Sequence, residues 1–377
     1  MDFALSEQQE MLKNTARDFL AKECPKTLVR EMEDDERGYS PELWKKMAGL
    51  GWMGLVFPEQ YGGSGLSLLD LTVLLEEMGR ALVPGPFLST VACCGLAILS
   101  RGTEEQKKEL LPKIARGELI LTLALTEPSA SYDPSDITVQ AVREGDDFVI
   151  TGTKLFVPDA HIADCLLCAT RTRDGEDKED GITLFLVDAN SPGISRNLLK
   201  TFTADKQCEV VFDKARVSKA SMLGELDRGW EIVEEIIEQT AFAQCPWMVG
   251  SAQQVLEMAT SYAKERIQFG RPIGSFQAIQ HKCADMATAI AGARDFTYQT
   301  AWRLSEGLPS RKDVSIAKAW VSEMYRKACV EGTQIHGGIG ITADHDMQLY
   351  YRRAKAMETA FGDADYHLEL VARQMGL

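Results

Sequence analysis

What this chain lacks sets the first limits. No run of apolar residues is long enough to cross a bilayer: the longest nearly apolar stretch, Leu88–Leu99, falls short of the ~20 residues a spanning helix needs. Met1–Glu10 is acidic and polar, without the basic and apolar regions of a secretory leader, so a cytoplasmic location is expected. Positive charge is in short supply: 41 Lys and Arg against 56 Asp and Glu leave a formal net charge of −15. Such a surface disfavours nucleic acid and anionic membrane as partners, although a few local Arg and Lys can still hold an anionic ligand. Cysteine occurs nine times, an odd count, and without an export signal a disulfide framework is not expected. Cys165 and Cys168 have the spacing of a zinc or redox pair, but their flanks read as an apolar strand. Neither a second pair nor a histidine cluster follows, so no metal is expected. Internal repeats and low-complexity segments are missing too.

What is present is an ordinary globular composition, 45% apolar and 26% charged over 377 residues, enough for a large core or several lobes. The first third reads as helices. Ser6 with Gln9 forms a capping box, Ser40-Pro41 opens a second helix, and Thr103 with Gln106 opens another that ends near Gly117. Tyr61–Gly65 reads as a loop, and Leu68–Met78 as a helix. From Leu119 the pattern becomes short β-rich runs bounded by turn residues, which suggests a β barrel or sandwich. Arg171–Gly181 reads as a charged hairpin loop. From Gly229 long helical patterns return: Trp230–Arg266, Ser275–Glu306, Arg311–Ile335 and two shorter ones after His345. The expected class is α+β: an all-α N-terminal domain (1–118), a β middle domain (119–218) and a C-terminal α bundle of four-helix type (229–377).

Three segments carry more than periodicity. The first is Leu125-Thr126-Glu127-Pro128, followed by Phe148–Phe156 with Gly152 and Lys154. The second runs from Arg266 through Phe269-Gly270 to Phe276-Gln277. The third is Gln334-Ile335-His336-Gly337-Gly338-Ile339-Gly340, with Arg352-Arg353-Ala354 downstream. In this order and inside an α–β–α layout, the chain resembles the acyl-CoA dehydrogenase family along its whole length. Read alone, Arg266 is a helix-terminal dipole partner and Gly337–Gly340 an interhelical turn. The neighbouring residues turn both toward a phosphate-bearing ligand: a guanidinium for bidentate contact, and glycines that admit a close backbone approach.

The resemblance implies a flavoprotein that binds FAD and an acyl-CoA thioester. Cofactor-binding positions carried over are Leu123, Leu125, Thr126, Phe156, Pro158, Arg266, Phe269, Gln277, Gln334, Gly337, Gly338 and Asp363. Phe156 stands where an aromatic usually shields the flavin. Pro158 stands where a flavin-bonding Thr is common, and it has neither hydroxyl nor N–H. Substrate-side positions are Ser131, Tyr132, Thr240 and Phe361, with Tyr132 replacing a Ser. The usual catalytic Glu is missing: Phe361 takes its common position and Thr240 its rarer one, so the base is unassigned. Glu238, Asp344 and Asp363 are acids nearby in sequence, and Asp344–Asp346 reads more simply as a helix cap. Pro246 should kink the long helix.

The resemblance further implies a homo- or hetero-tetramer and electron-transferring flavoprotein as electron acceptor. Three readings stay open: an oxidoreductase acting on an unusual cyclic, dicarboxylic or steroid-type acyl-CoA, a base-lacking subunit of a mixed tetramer, and a catalytically idle FAD-binding scaffold.

Overall fold

A computed structural model describes residues 4–377. The Met1–Phe3 start of the segment read as lacking a leader lies outside the described residues. The chain divides into two compact units. One comprises Met1–Val29, Ser67–Val83 and Ala241–Leu377, the other Arg30–Leu66 and Pro84–Thr240.

Local signals set the early helices. α1 (Glu7–Glu23) begins at the Ser6/Gln9 capping box. α2 spans Lys26–Asp34, and α3 (Pro41–Gly49) starts where the Ser40 hydroxyl accepts the Leu43 N–H. α4 (Leu68–Ala81) starts at a second capping box, Ser67/Asp70, and buries its residues from Leu71 to Gly79. A π-helical stretch, Leu88–Gly95, runs directly into α5 (Leu96–Arg101). α6 (Glu104–Ala115) follows the Thr103/Gln106 box.

The β-rich region forms one eight-stranded sheet inside the second unit. Its strands are β1 (Leu121–Ala124), β2 (Gln140–Glu144), β3 (Asp147–Pro158), β4 (Cys165–Arg171), β5 (Ile182–Asp188), β6 (Ile194–Leu199), β7 (Gln207–Ser218) and β8 (Met222–Leu223). The order is β6-β7-β3-β2-β4-β5-β8, with β1 parallel on β4. β5 is buried along six consecutive residues, which marks a strand covered on both faces, while β6 at the edge is largely exposed. β3 carries two register shifts against β7, the second between Lys154 and Val157. Such bulges re-aim side chains, and Phe156 lies within this one.

Helices dominate the rest. α7 (Trp230–Glu265) runs on through Pro246 as one element. A two-residue hairpin of β9 (Ile267–Gln268) and β10 (Arg271–Pro272) leads to α8 (Gln277–Ser305). α9 (Arg311–His336) packs with α8, α11 (Met347–Thr359) and α12 (Ala364–Gln374), with the short α10 (Gly338–Ile341) between α9 and α11. The Asp344–Asp346 segment does open α11, but its cap bond comes from the histidine and not from an aspartate. Asp346 occupies the cap position of α11 without a side-chain cap bond, and the His345 Nδ1 accepts the Met347 N–H at 3.1 Å instead. Asp346 has helical backbone angles, whereas an Asx cap wants an extended residue. No described helix is long and apolar enough to cross a membrane.

Candidate functional site

Within the sheet-bearing unit, the sequence-selected residues converge on one wall. β1 delivers Leu123, and the chain just beyond it delivers Leu125 and Thr126. β3 delivers Phe156 and Pro158. The two strands are tied at both ends of this patch: the Leu155 N–H donates to the Thr126 carbonyl at 2.8 Å, and the Thr122 hydroxyl to the Pro158 carbonyl at 2.5 Å. Leu123 and Leu125 are buried, while the Phe156 ring stays 48% exposed. Phe156 also holds φ at +54°, a left-handed conformation that a bulky residue adopts only when its surroundings impose it. The Thr126 hydroxyl is half-buried and makes no hydrogen bond among the described residues.

A buried ion pair braces this wall. Lys154 Nζ lies 2.7 Å from Glu127 Oε1 and also donates to the Leu125 carbonyl at 3.0 Å. The other side of Glu127 accepts the N–H groups of Thr138 (2.9 Å) and Val139 (3.1 Å) and the Thr138 hydroxyl. Burial by itself raises the Glu127 carboxyl; the Lys154 charge and these hydrogen bonds more than reverse that, leaving it below the ordinary value. Both residues stood in the motifs, but their pairing was not legible: they are 27 positions apart, and only the fold brings their side chains together. Beyond Glu127, Ser131 is half-buried, and its Oγ accepts the Asp133 N–H at 2.9 Å. Tyr132 is half-buried beside it.

Thr240 and Phe361, the two positions that the resemblance pairs with an acid, lie in different segments of the chain. Thr240 is buried, and its hydroxyl is committed to the Ile236 carbonyl at 2.7 Å in its own helix. One turn along α7, Gln244 is buried with its Oε1 unpartnered among the described residues, a feature periodicity cannot signal. Phe361 is half-buried at φ +56°, and its carbonyl accepts from His367 Nε2 at 2.9 Å. Asp363 caps α12 by accepting the Tyr366 N–H at 2.9 Å. Glu238 is half-buried. A carboxyl that the motifs did not single out, Asp159, follows Pro158 directly.

In the helical unit, the ends of elements carry the remaining positions. Phe269 and Gly270 both have positive φ, +55° and +78°, as a two-residue turn between antiparallel strands requires. The turn presents Phe269 with 91% of its surface exposed. Arg266 is exposed, and its guanidinium has no partner among the described residues; the Arg266 carbonyl accepts from Ile273, closing the hairpin onto α8. Gln277 begins α8, exposed. Gln334 is exposed on the last turn of α9. Gly337 follows at φ +65°, and a Cβ on Gly337 or Gly338 would meet only open space. The Cys165/Cys168 pair lies in β4 with both thiols free, and burial pushes each up to about 12.

Comparison with known proteins agrees along the whole chain. Residues 6–118, 122–215 and 227–376 match the N-terminal, middle and C-terminal domains of acyl-CoA dehydrogenase. A probable acyl-CoA dehydrogenase of Bacillus subtilis, YngJ, is 34% identical, with 100% of both chains covered. The butyryl-CoA dehydrogenase structure from Megasphaera elsdenii superposes with a TM-score of 0.93 at 29% identity over 100% of both chains. A chain of the ChsE4-ChsE5 complex from Mycobacterium tuberculosis superposes with a TM-score of 0.90 at 28% identity, covering 100% of this chain and 99% of that one. The chain belongs to the acyl-CoA dehydrogenase family, whose members are oxidoreductases that use FAD.

Proposed function

We propose that this protein is a flavin-dependent oxidoreductase for an acyl-CoA thioester with an unusual acyl group, and that it works without a carboxylate at either customary base position. The observation that carries the reading is the Phe156 ring, exposed in a left-handed conformation beside the half-buried Thr126. An aromatic face held open at such a backbone cost suits a flat ring system stacked on it.

The residues fit FAD in kind. Leu123, Leu125, Thr126, Phe156 and Pro158 offer an apolar wall with one hydroxyl for the flavin ring. Arg266 offers an unpaired guanidinium for pyrophosphate, and Gly337-Gly338 an open backbone surface. Phe269, Gln277, Gln334 and Asp363 are the further candidate cofactor residues that the resemblance carries over. When bound, FAD supplies an acceptor for a hydride from the acyl chain. The protein's part is to orient the thioester, for which Ser131, Tyr132, Thr240 and Phe361 are the candidate residues, and to manage the C2 proton. Phe361 fills the customary acid position with an apolar ring, and the Thr240 hydroxyl is occupied by Ile236. Neither can take that proton.

Purified protein should carry about one FAD per chain. A screen of acyl-CoA esters should find one that bleaches the flavin. Exchange of C2 protons of a saturated straight-chain acyl-CoA in D₂O, followed by NMR, should run ~10²–10⁴-fold below an ordinary relative. Brisk exchange by this chain alone sinks the missing-base reading, and failure to hold FAD sinks the flavin site.

A second reading draws on the similarity to a chain of a two-chain complex. In it, this chain is the base-lacking subunit of a mixed tetramer, and co-purification of a second chain that restores exchange selects it. A bound flavin that no acyl-CoA reduces, alone or with a partner, selects an idle scaffold. For the active readings, electron-transferring flavoprotein is the proposed acceptor.

A further inference from the structure

A carboxyl that none of these roles uses stands at the end of the Phe156–Pro158 wall. Asp159 is half-buried at φ +56°. Asn tolerates that conformation as readily as Asp, so the backbone does not explain the acid. Its place is well determined. The Asp159 N–H donates to the Lys206 carbonyl at 2.8 Å, and its own carbonyl accepts from Ile162 and Ala163 at 3.1 Å each. The Thr122 hydroxyl of β1 holds the preceding carbonyl, that of Pro158. The wall and Asp159 therefore move as one piece.

The side chain reaches the π-helical stretch. Ser89 Oγ lies 2.7 Å from Asp159 Oδ2 and 3.1 Å from the Pro86 carbonyl oxygen, and Ser89 is buried. A serine hydroxyl has a single proton to give. If Asp159 is ionised, that proton can serve Oδ2 or the Pro86 oxygen, and one contact is left between two acceptors. If Asp159 is protonated, its O–H donates to Ser89 Oγ and Ser89 donates to Pro86, so both contacts are hydrogen bonds. The surroundings agree. Burial pushes the Asp159 carboxyl up to about 6, with the Ser89 bond pulling it down and the Asp205 carboxylate pushing it up.

The nearby cations are engaged elsewhere. Lys206 Nζ donates to the Glu33 carbonyl at 2.9 Å, and Arg196 to the carbonyls of Ala160 and Ala163. Asp205 itself accepts from Gln207 Nε2 and the Thr203 hydroxyl. His161 Nε2 faces the Arg37 carbonyl at 3.0 Å, and burial pushes the Cys208 thiol up.

We propose that Asp159 is a positioning residue for the flavin, a carboxyl whose charge, governed by a proton shared with Ser89, sets how readily a ring stacked on Phe156 and Pro158 accepts electrons. The inference rests on the flavin site assigned above. A carboxylate beside a ring of low exposure opposes added electrons, and a neutral carboxylic acid does not. The charged state therefore lowers the flavin's reduction potential, and the protonated state relieves it.

Two measurements separate this from the assignment beneath it. The first is the infrared C=O band of a protonated carboxyl, followed through pH 6 with and without FAD. It should titrate in the wild type and be missing in Asp159→Asn. The second is the flavin potential against pH. The flavin's own ionisation bends both curves; the wild-type curve should show an additional bend as Asp159 ionises and fall below that of Asp159→Asn on the alkaline side. Ser89→Ala removes the hydroxyl that shares the proton and should move the pH of that additional bend. Superposable wild-type and Asp159→Asn curves in protein that holds FAD overturn the proposal and leave the flavin site standing. Protein whose infrared band titrates but which takes up no FAD overturns the site, and the proposal with it. If Asp159→Asn does not fold, an unmoved bend in Ser89→Ala is decisive against the proposal.

Discussion

Buried charge in this protein occurs at few residues, and each has its own energetic account. Lys154 is fully buried and compensated by Glu127 and the Leu125 carbonyl. Lys154→Met leaves the Glu127 carboxylate buried without its cation, a loss of roughly 3–5 kcal/mol by denaturant unfolding near neutral pH. The pH dependence has a definite sign. The Glu127 carboxyl is depressed on folding, so its contribution is complete above the unfolded value of about 4.3 and fades as pH falls through the folded one. Acid unfolding of the wild type should therefore be steeper than that of Glu127→Gln.

Lys318 runs the other way. It is buried, donates to the Met357 carbonyl, and is lowered to about 8 by burial, with Cys245, Glu358 and Asp363 opposing that shift. Between that value and about 10.4 the unfolded chain binds the extra proton, so stability should rise with pH across the window. Lys318→Met should abolish the rise; if wild type and variant give parallel curves there, Lys318 is not buried as described.

Elements in the helical unit meet at backbone distance. A Cβ on Gly250 of α7 would lie 1.8 Å from the Glu76 carbonyl oxygen of α4, and one on Gly79 of α4 would lie 2.0 Å from the Trp247 oxygen. Ser251 adds a hydroxyl bond to the Gly79 carbonyl at 2.8 Å. Rigid backbone on both sides leaves nothing to yield, so Gly250→Ala should cost at least the ~1–3 kcal/mol typical of overpacking and lower Tm by roughly 1–4 degrees. The C-terminus of α4 is tied as firmly. The carbonyls of Arg80, Ala81 and Leu82 accept from Tyr350, Lys26 and Arg353. The β9–β10 hairpin contrasts with both: it carries Phe269 into solvent, with an edge contact from its ring to Phe276.

At the scale of the whole molecule, Phe269 and Arg266 stand exposed on one hairpin, and by the family resemblance we propose that a partner copy covers them. We expect FAD uptake and assembly to be coupled. Sedimentation should show an oligomer in the FAD-loaded protein. Arg266→Ala should weaken FAD binding on the order of ten- to a hundred-fold, the worth of a charge-assisted hydrogen bond. A stable monomer fully loaded with FAD contradicts the coupling.

Much of this was settled by the sequence itself. Capping boxes at Ser6 and Thr103, the Ser40-Pro41 start and the long helical periods after Gly229 specify their helices locally, because their partners lie within a few residues. The Phe269-Gly270 turn and the motif order likewise carried the family. Only the tertiary structure decided the rest. It joined Glu127 to Lys154 across the sheet, and it moved the α11 cap contact to His345. It also brought Asp159, which no motif singled out, onto Ser89, 70 residues away in the chain. The reason is physical. A cap or a turn is read from adjacent residues, but desolvation and donor supply belong to whatever distant segments the fold packs around a group.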